Sequence, residues 1–408
     1  MPKFDHHFRM TEPDVAEYAA QRLPLFSGSG PLECSEIGDG NINYVFRVRD
    51  PASGVSVIIK HADVGTRSGG RVLGFDRNRI EAEILKMEGD LAPGLVPEVY
   101  DYDPVMCCLS MEDLSGHRIL RYELMAHKKF PRLAEDISDF MAKTLVPTLD
   151  TVMDPAEKKE LVKRYTNPQL CAITEQLVYT DPYTNAAGHN KVFPPNADFV
   201  AGEIYGDSLL HLEVAKLKYQ FMNNAQALIH GDLHSGSIFV REDSTKVIDP
   251  EFAFYGPSGY DVGNVVGNMC FAWANAAVTM ERGKDREEYI DWLDATIVDI
   301  VELFKKKFSA LFAARVSDRM AMTEGYSSWL LGTILADSAG VAGVEMIRRT
   351  VGTAQVRDLT SIDDGRARKF AEQVVMLSAK KFIMDRESYT EGRNYTETLH
   401  EVLKGLGR

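Results

Sequence analysis

The sequence has few cysteines, no surplus of basic residues and no leader-like opening. Its 408 residues contain only five cysteines, namely Cys34, Cys107, Cys108, Cys171 and Cys270, with no CxxC spacing. An odd count without that spacing excludes a disulfide framework, and a reducing compartment follows. Acidic side chains outnumber basic ones by 60 to 46, for a net charge of −14. Nucleic acid and anionic membrane surfaces are therefore excluded as expected partners, because the protein's overall field repels both. The opening MPKFDHHFRM has neither the basic nor the apolar region of a secretory signal, and no apolar run is expected to reach the ~20 residues that span a bilayer. A cytoplasmic location is expected, with no membrane partner. There is also no internal repeat and no low-complexity linker.

A hydrophobic content of 45% and a charged content of 26% are those of a globular protein, and the length exceeds that of one ordinary core. In EPDVAEYAAQRLPLF, Val15, Tyr18, Ala19 and Leu23 recur at helical spacing after Thr11, a candidate N-cap. LECSEI, NINYVFRV and GVSVIIKHA follow as short β-rich segments parted by turn residues. DRNRIEAEILKMEGDL is helical in period and VMCCLSME reads as a strand, so the first hundred or so residues predict β-β-β-α-β. Beyond Asp113 the patterns become long and helical, as in RLAEDISDFMAKTLVPTLD, EVAKLKYQFMNNAQ and ARKFAEQVVMLSAKKFIMDRES. Two brief β-like runs, IFV and KVI, interrupt them. The expectation is an α+β, two-lobed architecture: a small β-rich lobe at 1–111, a larger mostly helical lobe at 112–408, and a short hinge near Met111–Leu114.

The chemistry concentrates around LIHGDLHSGSIFV and KVIDPEFAFYGP. A carboxylate in a tight loop between apolar runs, Asp232, is badly placed for packing and well placed to orient the proton of a hydroxyl. Its plain alternative is a turn cap, and His230 and His234 read more readily as structural than as catalytic. Asp249 and Glu251 of DPE are hard oxygen donors suited to Mg²⁺, provided a turn around Pro250 aims both at one ion. Ser237 is a weaker oxygen donor five residues after Asp232. Gly38 and Gly40, between two predicted strands, let backbone N–H groups approach a phosphate, or simply turn a hairpin. Lys60 ends the apolar strand VSVIIK, where it either reaches an anion or snorkels at an edge. Glu81 and Glu83 of the following helix face nearly opposite ways, so only one can meet Lys60, and Glu81 is preferred. Asp261 of YDVGN suits a support for the Asp232 loop. Arg348 and Arg349 of EMIRRTVG fit a solvated helix face or a phosphate or polyhydroxyl ligand equally well.

Taken together, these motifs resemble the protein-kinase-like fold of aminoglycoside and choline kinases, whose HGDLHxGN loop and later acidic motif match in type and spacing. HGDLHSGS with DPEFAFYGP, YDVGN and the twin arginines resembles the 5-methylthioribose kinase family more closely, from GDGNINYVF to the last helices. The resemblance implies transfer of the ATP γ-phosphoryl group to the 1-hydroxyl of a small pentose, 5-methylthioribose, with Mg²⁺ as cofactor and a homodimer as the assembly. It makes Gly38, Gly40, Asn43 and Lys60 nucleotide contacts, with Glu81 as the partner of Lys60. Met111, Glu112 and Leu114 become the adenine hinge, and Asp249, Glu251 and Ser237 the metal ligands. Asp232 becomes the catalytic group, and with Arg348 and Arg349 it forms the sugar side. One departure concerns the acceptor. Where that family carries a Trp-containing loop, this chain has the shorter RSGGRVLGFDRNRIEAE, which leaves room for a related 5-substituted or 5-deoxypentose.

Overall fold

A computed structural model describes residues 2–37, 43–63 and 73–407. The first helix, α1 (Glu12–Arg22), begins as the sequence predicts: the Asp14 carboxylate accepts the Thr11 N–H at 2.8 Å and the Thr11 hydroxyl at 2.6 Å. Its periodic residues Val15, Tyr18 and Ala19 are buried. They join Phe46, Val48, Val57, Ile59 and Cys108 in one apolar cluster.

Five strands form an antiparallel sheet: β1 (Glu33–Glu36), β2 (Tyr44–Arg49), β3 (Ser56–His61), β4 (Val99–Asp103) and β5 (Cys108–Glu112), in the order β1-β2-β3-β5-β4. The helix α2 (Asp76–Leu91) lies between β3 and β4 in the chain. The observed order is thus β-β-β-α-β-β, one strand more than the sequence predicts. The extra strand β4, VYDYD, is an edge strand without a fully buried residue. Its two Asp residues, depleted in strands generally, hid it.

By packing, the chain divides into two units, Met1–His117 with Lys246–Ala253, and Arg118–Thr245 with Phe254–Arg408. The DPE segment belongs to the first: Val247 N–H donates to the Leu95 carbonyl at 2.7 Å, and Lys246 reaches Glu112 at 3.1 Å. The small β-rich and larger helical parts of the expected α+β class are both present.

The second unit has little sheet. A two-residue strand β6 (Arg118–Ile119) pairs with β8 (Ile238–Arg241), and β7 (Ala227–Ile229) pairs with β10 (Phe254–Gly256). The chain passes between units along β9 (Ser244–Val247). Its longer helices include α3 (Leu133–Leu145), α4 (Ser208–Asn223), α5 (Gly259–Thr279), α6 (Lys284–Arg315), α7 (Tyr326–Val351), α8 (Gly365–Met384) and α9 (Gly392–Gly405).

The helices α5 and α7 pack through small residues. A Cβ added at Gly259 or Gly263 would stand 2.6 or 2.5 Å from the carbonyl oxygens of Ile334 and Ser338. Glycine at i and i+4 of α5 therefore lets the two backbones approach closely. Among the described residues α7 alone is long and apolar enough to cross a membrane, yet 78% of its most apolar window is buried inside the protein. It is a core helix, one that a search for uninterrupted apolar runs passes over because Asp337 and Glu345 break the run.

Candidate active site

In the first unit, strand β3 carries Lys60 to a cluster of carboxylates. Its ammonium donates to Glu81 Oε1 and to Asp249 Oδ1, each at 2.5 Å. Of the two glutamates left open by the sequence, Glu81 meets Lys60, while Glu83 pairs with Arg79 at 2.8 Å on the same helix. Asp249 sits in the left-handed region at φ 71°, ψ 46°, and the short helical turn Pro250–Phe252 follows. Asp is one of the few side chains that tolerates this conformation. The turn around Pro250 has the expected effect: oxygens of Glu81, Asp249 and Glu251 all lie within 4.8 Å of one another.

Electrostatics in this cluster are set by burial. It raises the Glu81 carboxyl to about 7, with Asp249 adding to the rise and Lys60 opposing it. Burial also raises Glu251 well above the carboxylate range, again helped by Asp249. Burial alone would lower the Lys60 ammonium, but Asp249, Glu81 and Glu251 raise it beyond an ordinary lysine. Three crowded carboxylates share Lys60 and Arg77 as cationic neighbours, one positive charge short of balance, and the second oxygen of Glu81 is buried without a hydrogen-bond partner. A hard oxygen set of this kind fits Mg²⁺.

Asn43, reached by the resemblance as a nucleotide contact, donates to Glu251 Oε2 at 3.2 Å and accepts from buried Arg77 at 3.3 Å. Met111 and Glu112 end β5, paired in register with Ile58 and Val57 of β3, and Leu114 is buried just beyond. Gly38 and Gly40 lie outside the described residues.

In the second unit, β7 delivers the HGD loop. Gly231 adopts φ 80°, a left-handed turn that favours glycine. Asp261, in the first turn of α5, accepts the His230 N–H at 2.7 Å and the Gly231 N–H at 3.0 Å, one on each oxygen. The loop before Asp232 is thereby tied to a core helix.

His234 Nδ1 accepts the backbone N–H groups of Gly236 at 3.0 Å and Ser237 at 3.1 Å. The ring proton must then sit on Nε2, which lies 3.3 Å from Asp232 Oδ2. With Nδ1 accepting two backbone N–H groups the ring is neutral, and burial lowers its pKa, with Asp232 opposing and Arg349 adding to the fall. The Ser237 hydroxyl lies 3.2 Å from the same Nδ1.

Arg348 and Arg349, on the last turns of α7, are not a solvated face, since each side chain is only 11% exposed. Their Nη2 atoms stand 3.6 and 3.7 Å from Asp232 Oδ1. Burial would raise the Asp232 carboxyl, but His234, Arg349 and Arg348 together hold it far below the carboxylate range.

A model of the phosphotransferase enzyme family matches residues 33–296. A methylthioribose kinase of Erwinia tasmaniensis is 40% identical over 356 residues, covering 86% of this chain and 88% of the relative. Another, of Geobacillus kaustophilus, is 39% identical over 395 residues, covering 96% and 97%. The chain belongs to the methylthioribose kinase family. Among solved structures it is similar to a choline kinase of Cryptosporidium parvum Iowa II, with 11% identity, 96% of each chain covered and a TM-score of 0.45.

Around the residues that the methylthioribose kinase resemblance singles out, the structure adds others that sequence reasoning missed. Glu345 binds both twin arginines, at a spacing of i+3 and i+4 that was legible in EMIRR. Arg121 donates to the Ser235 hydroxyl at 3.2 Å and to Asn268 at 3.4 Å, and lies 3.6 Å from buried Asp358. Nothing in the pattern around Arg121 or Asp358 marks them, because their partners are remote in sequence.

Proposed function

We propose that the protein is an ATP-dependent kinase that phosphorylates the 1-hydroxyl of 5-methylthioribose. The observation that carries this reading is close relatedness to methylthioribose kinases along almost the entire chain. Two charge clusters of matching chemistry support it. One unit carries the Lys60, Asp249 and Glu251 set suited to a nucleoside triphosphate, the other the Asp232, Arg348 and Arg349 set suited to a polyhydroxyl acceptor.

Phosphoryl transfer passes through a loose transition state, so the protein's work is positioning and charge stabilisation. Lys60, held straight by Glu81, offers its ammonium to the phosphates. Asp249 and Glu251 would hold Mg²⁺. The ion, when bound, neutralises charge developing on the phosphate oxygens. Gly38, Gly40 and Asn43 act near the phosphates, and Met111, Glu112 and Leu114 form the adenine hinge.

On the acceptor side, Asp232 stays ionised and accepts a hydrogen bond from the attacking hydroxyl. Its strongly depressed pKa makes it a weak base, so it orients the nucleophile and takes the proton only as the new bond forms. The neutral His234 and the bonds from Asp261 to the loop keep the carboxylate in place. The cytoplasm is the location in keeping with this activity, and a homodimer is the assembly that the family resemblance implies.

A coupled ADP-release assay tests the reading across 5-methylthioribose, 5-deoxyribose, ribose, choline and an aminoglycoside. Pentoses with an apolar 5-group should give the highest kcat/KM. Preference for 5-deoxyribose over 5-methylthioribose would favour the second acceptor class, which the Trp-less run at 67–83 motivates. Turnover of choline or an aminoglycoside alone would overturn both.

A further inference from the structure

The twin arginines share a single counter-ion. Glu345, one turn earlier on α7 and only 1% exposed, accepts from Arg348 Nε through one carboxylate oxygen. Its other oxygen accepts from Arg349 Nε at 3.1 Å. That oxygen also accepts from Asn268 Nδ2 at 3.1 Å, and Asn268 Oδ1 accepts from the N–H and hydroxyl of Ser235, three residues after Asp232. One carboxylate therefore sets the planes of two guanidinium groups and ties them to the Asp232 loop.

The consequence lies at the other edge of each guanidinium. With both Nε atoms occupied by Glu345, the Nη2 groups are the donors turned toward Asp232 Oδ1, at 3.6 and 3.7 Å. Charge-assisted N–H···O bonds close to about 2.7–2.9 Å, so these are Coulombic contacts that stop short of hydrogen bonds. Two donors and one acceptor stay apart, a set that suits a hydroxyl able to accept from Nη2 and donate to the carboxylate. Without Glu345, nothing on α7 would keep the arginines from closing onto Asp232 as ordinary salt bridges.

We propose that Glu345 is a positioning residue for the acceptor: it holds Arg348 and Arg349 back from Asp232 so that a substrate hydroxyl can enter between them. The proposal rests on the kinase reading above, and it acts entirely through the two arginines.

That dependence gives the test. Glu345→Gln is made in the wild-type background and in Arg348→Gln/Arg349→Gln, where the triple variant buries only neutral amides. Acceptor kcat and KM, nucleotide Kd and melting temperature are measured for each, with rates normalised to the nucleotide-binding fraction. In the wild-type background E345Q should lower acceptor kcat/KM on the order of 10²-fold, much of it in KM, with nucleotide Kd unchanged. In the double-Gln background it should cost less than about threefold, because residues acting as a unit are not additive. An equal loss in both backgrounds, or a loss that vanishes on normalisation, overturns the proposal. Any acceptor that the wild type phosphorylates can be used, so failure on 5-methylthioribose would sink the substrate assignment without touching this result.

Discussion

Lys60 and Glu81 form an ion pair at 2.5 Å between β3 and α2, and the same ammonium also reaches Asp249. Replacing Lys60 by Met would leave three carboxylates within 4.8 Å facing Arg77 as their remaining cationic neighbour. On the proposed role of Lys60 toward the phosphates, turnover should fall by about 10²-fold or more. The variant should also melt earlier, because breaking a buried pair leaves an uncompensated charge. Mg²⁺ supplies a test of the cluster itself. It should raise the melting temperature of Lys60→Met by more than that of the wild type, as binding to the folded state stabilises by mass action. An equal shift in both proteins would argue that these carboxylates do not hold the ion.

Asp232→Asn should lower kcat on the order of 10²–10⁴-fold, the range for loss of a general base or orienting carboxylate. Nucleotide affinity should be unchanged, because the residues assigned to the nucleotide do not include Asp232. The structure adds a stability consequence. The carboxyl of Asp232 lies well below its usual range because His234, Arg349 and Arg348 outweigh burial. A depressed folded pKa stabilises the fold above the unfolded pKa and loses that contribution as pH falls through the folded value. The Asn variant should therefore melt somewhat earlier at pH 7, with the difference shrinking under acid. The wild-type rate profile should show no limb from Asp232 between about pH 5 and 9.

Gly263→Ala should destabilise the protein by about 1–3 kcal/mol or more, the cost of overpacking a tight contact. The added methyl would meet the Ser338 carbonyl at 2.5 Å and the Val341 Cβ at 2.7 Å. Gly332, on α7 itself, has nothing within 4 Å of its would-be Cβ. Gly332→Ala should stabilise by roughly 0.5–1 kcal/mol through helix propensity. Chemical denaturation of the two variants should thus move in opposite directions.

Asp337, buried on α7, is raised from its usual 3.8 to about 6, chiefly by burial, with Arg386 and a hydrogen bond from Gln220 opposing. A raised folded pKa gives a stability contribution that is complete below pH 3.8 and is lost as pH rises through about 6. At pH 8 the charged form therefore costs up to about 3 kcal/mol. Asp337→Asn removes that cost and keeps the bond to Gln220. Its gain in melting temperature should be larger at pH 8 than at pH 4, and a gain independent of pH would count against the assignment.

Much of the local structure could be read from the chain because it follows from short-range rules. The Thr11 start of α1, the β-rich runs of β2 and β3 between turn residues and the 3.6-residue period of α2 and α8 each depend on neighbours a few residues apart. So did the carboxylates Asp232, Asp249 and Glu251, since an acid in a tight loop beside apolar runs has little structural reason to be there. Local pattern was silent where a residue's meaning depends on a distant partner. VYDYD reads as a strand only beside β5, which shelters its backbone hydrogen bonds. Between Glu81 and Glu83 the sequence alone offered only a slight preference for Glu81, and the register of α2 against Lys60 decided in its favour. His234 looked structural until two backbone N–H groups occupied its Nδ1 and turned its remaining proton toward Asp232. The twin arginines were open between solvent and ligand, and the burial of α7 against α5 decided for the interior. Residue types and spacing could thus announce the chemistry, because phosphoryl transfer needs particular charges. Which charges meet, and at what distance, was set by tertiary packing, because Coulombic and hydrogen-bond energies depend on separations that no one-dimensional pattern contains.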